Sequence, residues 1–424
     1  MRKILVTTSI LALASAGTIG LTSPGAGAAS APGAAARTQP TEFALQTSGF
    51  GTRVRGGQVP AGSGSSAYQV IGCTNLAGKT RDNVVTSETL PGIGTASQVA
   101  TKVWTQKKKG VTSSMSRNTI ARIDLAETPM GTLSIEGIKS VSRAFHDDSG
   151  FHATTSTSVG TITLTPTAGP PQELDAPTPG QPLDVPGVAT ITVGRTGTTS
   201  DAHGARAHAD VIYIESAATG SRARIAKTDA SIADGIVTGI FGGYSAALQA
   251  TGLQGNVTNG RTPYSPIPCQ GTDGKVRVRA LASVDLGGQA VVGAVENRQM
   301  GKQNASRATG FEQSRVASID LGDGQLVVEG IKGRVEVTRS GDNLGQLKRK
   351  AIGTIGSITA NGQAMEFPDT DVLEIPGVAR LERNLVKKVH AGIRITALEI
   401  TLLDGSGAVI DLGRAQLRIK RPGL

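Results

Sequence analysis

The side chains that most often bind metals or transfer protons are few and scattered in this sequence. Its five histidines are His146, His152, His203, His208 and His390. In "HGARAH", His203 and His208 are five residues apart, which would put them on opposite faces of a strand. In "FHDDSGFH", Asp147 and Asp148 precede Ser-Gly, a pattern more typical of a turn than of a cation site. We therefore predict no metal site and no cofactor, with a metal site at either segment as the alternative.

Motifs for nucleophilic catalysis, phosphate binding and zinc-dependent hydrolysis are absent from the sequence. It contains no G-x-S-x-G elbow, no P-loop and no H-E-x-x-H segment. We predict a protein that is not an enzyme and has no catalytic residues. Paired acids for glycoside hydrolysis have no sequence signature, so a hydrolase of an envelope polysaccharide remains an alternative hypothesis.

Basic residues are the most concentrated charged groups in the chain. The formal net charge is +10, and residues 241–424 carry 23 basic and 17 acidic side chains, whereas residues 41–240 carry 17 and 16. Such a surface attracts polyanions, or it serves only solubility. The candidate polyanion-binding residues are Lys348, Arg349, Lys350, Arg380, Arg383, Lys387, Lys388 and Arg394. Anionic cell-wall polymers or other surface proteins are the expected partners, and nucleic acid is not, because aromatic residues are not interleaved with the basic ones.

Two distant octets, "LSIEGIKS" from Leu133 and "LVVEGIKG" from Leu326, are nearly identical. Other matched pairs appear in the same order along the chain: Tyr68 with Tyr264, Cys73 with Cys269, Gly78 with Gly274, Lys79 with Lys275, and "DVPGVA" with "EIPGVA". The spacing is 196 residues at Tyr68/Tyr264, falls to 193 at the octets where "AETPMGT" is shortened to "GDGQ", and is 190 at Ala189/Ala379. An ordered series with gaps at turns predicts two tandem copies of one domain. Trp104 corresponds to Met300, which favours packing over sugar stacking.

The copies are predicted to span residues 42–235 and 236–424, with the linker near "ADGIVTGIFGG". A proline-rich loop at 165–187 falls inside copy one, and its proline density should exclude regular ladder pairing.

Alternating and turn-forming residues predict the fold class. Thr, Val and Ile recur between glycines, and "RAQLRIK" alternates apolar with charged side chains. Asp323-Gly324, Asn361-Gly362 and Asp404-Gly405 are hairpin candidates. We predict an all-β protein in which each copy is an antiparallel sandwich-like domain, with an open barrel or β-prism as alternatives. "DNLGQLKRKAIG" could form a short helix, but its counterpart "GFHATTSTSVG" favours a strand.

The two cysteines, Cys73 and Cys269, occupy matching places in the copies. Export would permit a disulfide between them, provided that their Cα atoms approach to about 4.4–6.8 Å. The alternative is two buried free thiols.

The N-terminus is typical of a secretory signal peptide. Arg2 and Lys3 precede an apolar stretch, and small residues follow. We predict a signal peptide at 1–29, with cleavage as late as residue 36 as an alternative, and a flexible segment at 30–41. No later segment is apolar enough to span a membrane. A secreted protein, extracellular or associated with the cell wall, is expected.

Several segments carry a resemblance to a family. The Ala-rich N-terminus, "GFGTRVRGG", "GCTNLAGKTRDNVV" and the Thr/Ser-rich strands that end at "VGTITL" resemble the secreted actinobacterial proteins called choice-of-anchor P. The resemblance implies an exported surface protein of uncharacterised activity, and it supplies no catalytic residues. This chain departs from the family in showing no recognisable anchor.

These observations together favour a non-enzymatic structural or binding protein of the cell envelope. The alternatives are the hydrolase and a secreted ligand carrier with a pocket between the copies.

Overall fold

The computed structural model describes residues 38–56, 63–253, 257–286 and 290–423. The predicted signal peptide lies outside these residues. Strand β1 begins at Gln39, inside the segment 30–41 that we expected to be flexible.

Within the described residues the chain is built almost entirely of strands, so the all-β prediction is confirmed. The strands of the first half are β1 (Gln39–Arg55), β2 (Gln69–Ala77), β3 (Thr80–Leu90), β4 (Gly94–Lys108), β5 (Val111–Leu125), β6 (Thr132–Asp147), β7 (Gly150–Ser158), β8 (Ile162–Thr165), β9 (Gln172–Leu174), β10 (Leu183–Val185), β11 (Ala189–Val193), β12 (Thr196–Asp201), β13 (Gly204–Ala209), β14 (Ile212–Ser216) and β15 (Arg222–Ala233). The strands of the second half are β16 (Ile240–Leu253), β17 (Val257–Pro266), β18 (Arg277–Leu281), β19 (Val284–Asp285), β20 (Ala290–Val292), β21 (Val295–Asn304), β22 (Arg307–Leu321), β23 (Leu326–Ser340), β24 (Gln346–Thr354), β25 (Ile358–Ala360), β26 (Gln363–Met365), β27 (Val372–Ile375), β28 (Ala379–Val389), β29 (Gly392–Leu402) and β30 (Val409–Lys420).

Four antiparallel sheets arrange these strands. Sheet 1 has the order β10-β11-β14-β15-β1-β2, with β13 beside β15 and β12 beside β13, and sheet 2 has the order β3-β4-β5-β6-β8-β9, with β7 beside β6. Sheet 3 has the order β17-β16-β30-β29-β28-β27. Sheet 4 has the order β18-β21-β22-β23-β25-β26, with β24 beside β23 and β20 beside β22. Sheets 1 and 2 pack against each other, as do sheets 3 and 4, so each half is sandwich-like.

The two halves share strand order and register. In each half the first strand lies between the second strand and the last strand of its sheet. Ile120 on β5 pairs with Ile138 on β6, and the corresponding Val316 on β22 pairs with Ile331 on β23.

The echoed octets have a shared structural role. Their glycines, Gly137 and Gly330, have φ of +67° and +65°, a left-handed conformation that glycine adopts without steric cost. Before this glycine, β6 pairs with β8, and after it β6 pairs with β7. Strand β23 changes partner from β25 to β24 in the same way. The repeated Glu-Gly-Ile-Lys therefore marks the point where one long strand changes neighbours.

Apolar side chains fill each sandwich in two clusters separated by polar residues. On β22, buried Glu312 and Ser314 lie between Ala308 of one cluster and Val316 of the other. On β6, buried Ser140 and Ser142 occupy the same place in the first half. Both cores thus contain a layer of buried polar groups across their middle, named here the polar layer.

Local predictions mostly agree with the structure. Asn361 and Gly362, both at positive φ, form the two-residue turn between β25 and β26, as the type I′ hairpin requires. Asp323-Gly324 and Asp404-Gly405 lie in the β22–β23 and β29–β30 turns. The segment considered as a helix forms one 3₁₀ turn at Asp342–Leu344, and β24 follows it.

The prediction for the proline-rich segment was wrong in part. The short strands β9 and β10 lie within 165–187 and form ladders with β8 and β11 on either side of it. All seven prolines stand outside these strands, because proline has no N–H to donate to a ladder.

Candidate functional site

The junction of the two halves is held by a disulfide. Cys73 and Cys269 are bonded, with their Cα atoms 5.2 Å apart. Ala44 and Ile240 pack with the two cysteines in a small apolar cluster, to which each half contributes. Gln46 Oε1 lies 3.9 and 3.7 Å from the two sulfur atoms. The residues that the sequence aligns as equivalents therefore meet directly.

A second pair of equivalent residues lies near this junction. Tyr264 is 41% exposed, but burial around its hydroxyl first, and then the neighbouring Tyr68, raise its pKa to about 12. The Arg261 guanidinium stacks 4.0 Å from the ring centre of Tyr244 and partly opposes this shift. The charge of Glu312 also raises the pKa of Tyr264, so the junction is linked electrostatically to the polar layer of the second half.

Basic residues form a diagonal row on the outer face of sheet 3. Buried Ala415, Leu417 and Ile419 point inward along β30, so the alternate residues Arg418 and Lys420 point outward. Arg394 on β29 is paired with Lys387 on β28 and is diagonal to Arg418, and paired residues share a face. Lys387, Arg394, Arg418 and Lys420 thus follow one another across three strands.

The row continues with two residues of the first half. Lys420 Nζ donates to the carbonyl oxygen of Cys73 at 3.3 Å. Burial lowers the pKa of Lys420, and the charges of Lys79, Arg418 and Arg81 lower it further. We name the six residues Lys387, Arg394, Arg418, Lys420, Lys79 and Arg81 the basic band. In the part of the chain that the structure describes, none of the six forms an ion pair with a carboxylate.

The structure separates the eight basic residues that the sequence grouped. Only Lys387 and Arg394 belong to the basic band. Arg380 pairs with Glu382 at 2.9 Å, and Arg383 pairs with Asp371 at 2.5 Å, so carboxylates balance both charges.

The remaining four lie elsewhere on the second sandwich. Lys348 and Lys350 pair with Thr338 and Glu336, which places them on the outer face of sheet 4. Arg349 and Lys388 pair with inward-facing residues and lie at the open edges of the two sheets. The eight therefore do not form one continuous face.

Sequence reasoning missed four members of the basic band. The alternation in "RAQLRIK" already put Arg418 and Lys420 on the polar face of a strand. Nothing in the sequence indicated that Lys79 and Arg81, more than 300 residues earlier, would lie near them.

The histidine segments form local polar contacts. Asp147 accepts hydrogen bonds from the backbone N–H and the hydroxyl of Ser149, as in an ordinary turn, and lies 3.2 Å from His152 Nε2. His203 Nδ1 lies 3.1 Å from a carboxylate oxygen of Asp234. Among the described residues, no three His, Cys, Asp or Glu side chains are arranged to hold a metal ion.

One carboxylate pair bears on the hydrolase alternative. Glu399 and Asp411 pair across β29 and β30 on the outer face of sheet 3. Burial, the Asp411 charge and a hydrogen bond with Asp411 raise the pKa of Glu399. The pair lies on the outer sheet face, where Arg414 forms an ion pair with Asp411 at 2.5 Å.

Trp104 and Met300 lie at matching places on β4 and β21. Both side chains are half-buried, and each pairs with a residue of the adjacent strand, Met115 and Phe311 respectively.

No protein-family model matches the chain, and no curated protein matches it significantly. In the described ranges, no helix has the length and hydropathy that a membrane span requires.

Proposed function

We propose that the chain consists of two tandem copies of one β-sandwich unit, copy one at 42–235 and copy two at 236–424. The shared strand order, the shared register and the matching role of Gly137 and Gly330 support this proposal. The disulfide joins equivalent cysteines, which fits a packing of the copies around their matching surfaces.

This two-copy protein is exported and works at the cell envelope or outside the cell without catalysing a reaction. The signal-like N-terminus and the resemblance to the choice-of-anchor P proteins support export. The inter-copy disulfide supports it further, because such bonds persist in oxidising compartments.

The basic band binds anionic polymers of the cell wall. The observation that carries this function is the run of six cations across sheet 3 and the junction, with no carboxylate partner in the described residues. Holding like charges together costs free energy. A polyanion lying along the row would offset that cost and would raise the pKa of Lys420 by opposing the charges of Lys79, Arg418 and Arg81. The expected binding is strong at low salt and is lost as salt screens the charges.

Retention of the purified protein on isolated actinobacterial cell walls, across a salt series, tests this function. The double variant Lys387→Gln/Arg394→Gln should bind about tenfold more weakly at low salt, because two contacts are lost. The matched control is Lys348→Gln/Lys350→Gln, which removes the same charge from the outer face of sheet 4. Equal weakening by both variants would show that only net charge matters, and it would overturn the assignment to the basic band.

A further inference from the structure

The outer face of sheet 4 contains a groove with a volume of ≈ 500 Å³. Its lining includes the small residues Ala294, Ala317 and Gly330, here called the floor, and the charged residues Glu296, Arg315 and Lys332, here called the wall. The volume lies within the range of about 300–1,000 Å³ that is usual for small-ligand sites. The groove lies in the second half alone, on the sheet that faces away from the basic band.

A local irregularity of sheet 4 creates the groove. The register of β22 with β23 skips Ala317 and Gly330, and Gly330 has a φ of +65°. The strand that pairs with β22 on its other side is interrupted at the same level, between the end of β20 and the start of β21. There, Ala317 donates its N–H to the carbonyl oxygen of Ala294 at 2.7 Å. In the first half the register skips the corresponding Gln98, Ala121 and Gly137 in the same way, and Gln98 has a φ of +49°. Both halves therefore share the irregularity, and the second half differs in having the small Ala294 where the first has Gln98.

The wall of the groove carries unbalanced positive charge. Arg315 and Lys332 are paired across β22 and β23, so their side chains lie side by side. Glu296 forms an ion pair with Arg298 at 2.7 Å and is paired with Arg315 across β21 and β22, and both positive charges lower the pKa of Glu296. One carboxylate therefore faces three cations: Arg298, Arg315 and Lys332. Among the ion pairs of the described residues, neither Arg315 nor Lys332 has a carboxylate partner.

We propose that this groove binds a small amphipathic anion, an alkyl chain that ends in a carboxylate. The chain would lie on Ala294, Ala317 and Gly330, where contact with small residues removes apolar surface from water. The carboxylate would lie between Arg315 and Lys332, which donate charge-assisted hydrogen bonds to it. This site is independent of the basic band and of the polymer that the band binds.

Calorimetric titration of the full chain with dodecanoate, dodecanol and dodecyltrimethylammonium tests the proposal. Dodecanoate should bind with one site per chain and at least tenfold more tightly than the other two ligands. Arg315→Gln/Lys332→Gln should weaken dodecanoate binding at least tenfold and leave dodecanol binding within about twofold. Ala317→Trp, with folding checked by circular dichroism, should abolish binding of all three because it fills the floor.

Two controls separate this site from general surface effects. Lys139→Gln changes the first-half residue that corresponds to Lys332, and Lys387→Gln/Arg394→Gln changes the basic band; both should leave dodecanoate affinity unchanged. Absence of dodecanoate binding at millimolar concentration would overturn the proposal. Equal affinity for all three ligands, or binding that survives Ala317→Trp, would overturn it as well.

Discussion

The outer faces of sheets 1 and 3 have the same backbone plan and different charges. By register, the positions of Lys387, Arg394, Arg418 and Lys420 correspond to Gly197, His208, Ser231 and Ala233 in the first half. The second half has four cations where the first has none that is permanently charged. A shared framework thus tolerates very different surfaces, because outward-facing side chains of a strand contribute little to the core.

The polar layers inside the two sandwiches differ in a second way. In the first half, Thr228 Oγ1 lies 2.7 Å from Ser140 Oγ and 2.8 Å from Ser142 Oγ, and Asn118 donates to Thr101 Oγ1 at 2.6 Å. In the second half, Glu312 is fully buried and neither carboxyl oxygen has a hydrogen-bond partner in the described residues.

Both layers contain buried polar atoms without a hydrogen-bond partner, but those in the first layer, on Ser113, Ser116 and Asn118, belong to neutral side chains, whereas the second layer buries an ionisable carboxyl group. Ser245 lies close to Glu312, and its hydroxyl opposes the pKa shift only in part. Burial raises the pKa of Glu312 well above its usual value. The comparison indicates that the second sandwich gives up stability at neutral pH that the first retains.

Placing a carboxyl group in the first polar layer should have the largest effect. Ser116 is fully buried and corresponds to Glu312. Ser116→Glu should lower the free energy of unfolding by about 3–5 kcal/mol at pH 7, because the layer offers no counter-charge. Denaturant unfolding measures the loss, with Ser116→Ala as the control; a loss under 1 kcal/mol would mean that the layers do not differ as described.

Removing the buried acid from the second layer should stabilise the protein. Glu312→Gln should raise the free energy of unfolding by about 1–3 kcal/mol at pH 7. The folded-state pKa of Glu312 is raised, so its favourable contribution is present below the unfolded pKa and is lost as pH rises toward the folded pKa. Thermal unfolding from pH 4 to pH 9 should show a downward slope for the native chain, and Glu312→Gln should flatten it. An equal slope in both proteins would assign the pH dependence to other groups.

Breaking the hydroxyl network of the first layer should have a moderate effect. Thr228→Val keeps the shape of the side chain but removes the hydroxyl that meets Ser140 and Ser142. We expect a loss of about 1–2 kcal/mol in the free energy of unfolding, since buried hydroxyls are left unpaired. At the corresponding position the second half has Ala415, so Ala415→Ser serves as the matched change on that side.

Transferring charge between the outer faces should have the smallest effect. His208→Arg/Ser231→Arg adds cations to sheet 1 at the positions of Arg394 and Arg418. The added cations should strengthen wall binding at low salt, but only about two- to fivefold, because the new row on sheet 1 lacks the junction residues of the basic band. Unchanged binding would show that charge on this face does not act alone.

The sequence allowed much of the framework to be predicted. Asn361-Gly362 determines a hairpin through local turn chemistry, and the alternation around Leu417 determines which face of β30 is buried. The matching positions of Cys73 and Cys269 suggested a disulfide between them, and the structure has that bond. These features depend on residues close together in the chain or on direct repetition.

The positions of the basic-band residues relative to one another depend on the register of neighbouring strands, which local sequence does not determine. Arg394 and Arg418 become neighbours only because β29 pairs with β30 in one register, and Lys79 approaches Lys420 only through the packing of the halves. Glu312 lies among polar residues in "GFEQSR", a segment that suggests exposure, yet its side chain is fully buried inside the second sandwich. Sequence proximity grouped Lys348 with Lys387, although the sandwich puts them on opposite faces.

The salt dependence of binding to a defined polyanion tests the functional account most directly. Titration of the native chain with polyphosphate, at several salt concentrations, yields the slope of log affinity against log salt. The account predicts a steep negative slope that becomes shallower by about two in Lys387→Gln/Arg394→Gln, roughly one for each lost contact, and stays the same in Lys348→Gln/Lys350→Gln. Identical slopes in all three proteins would contradict the account.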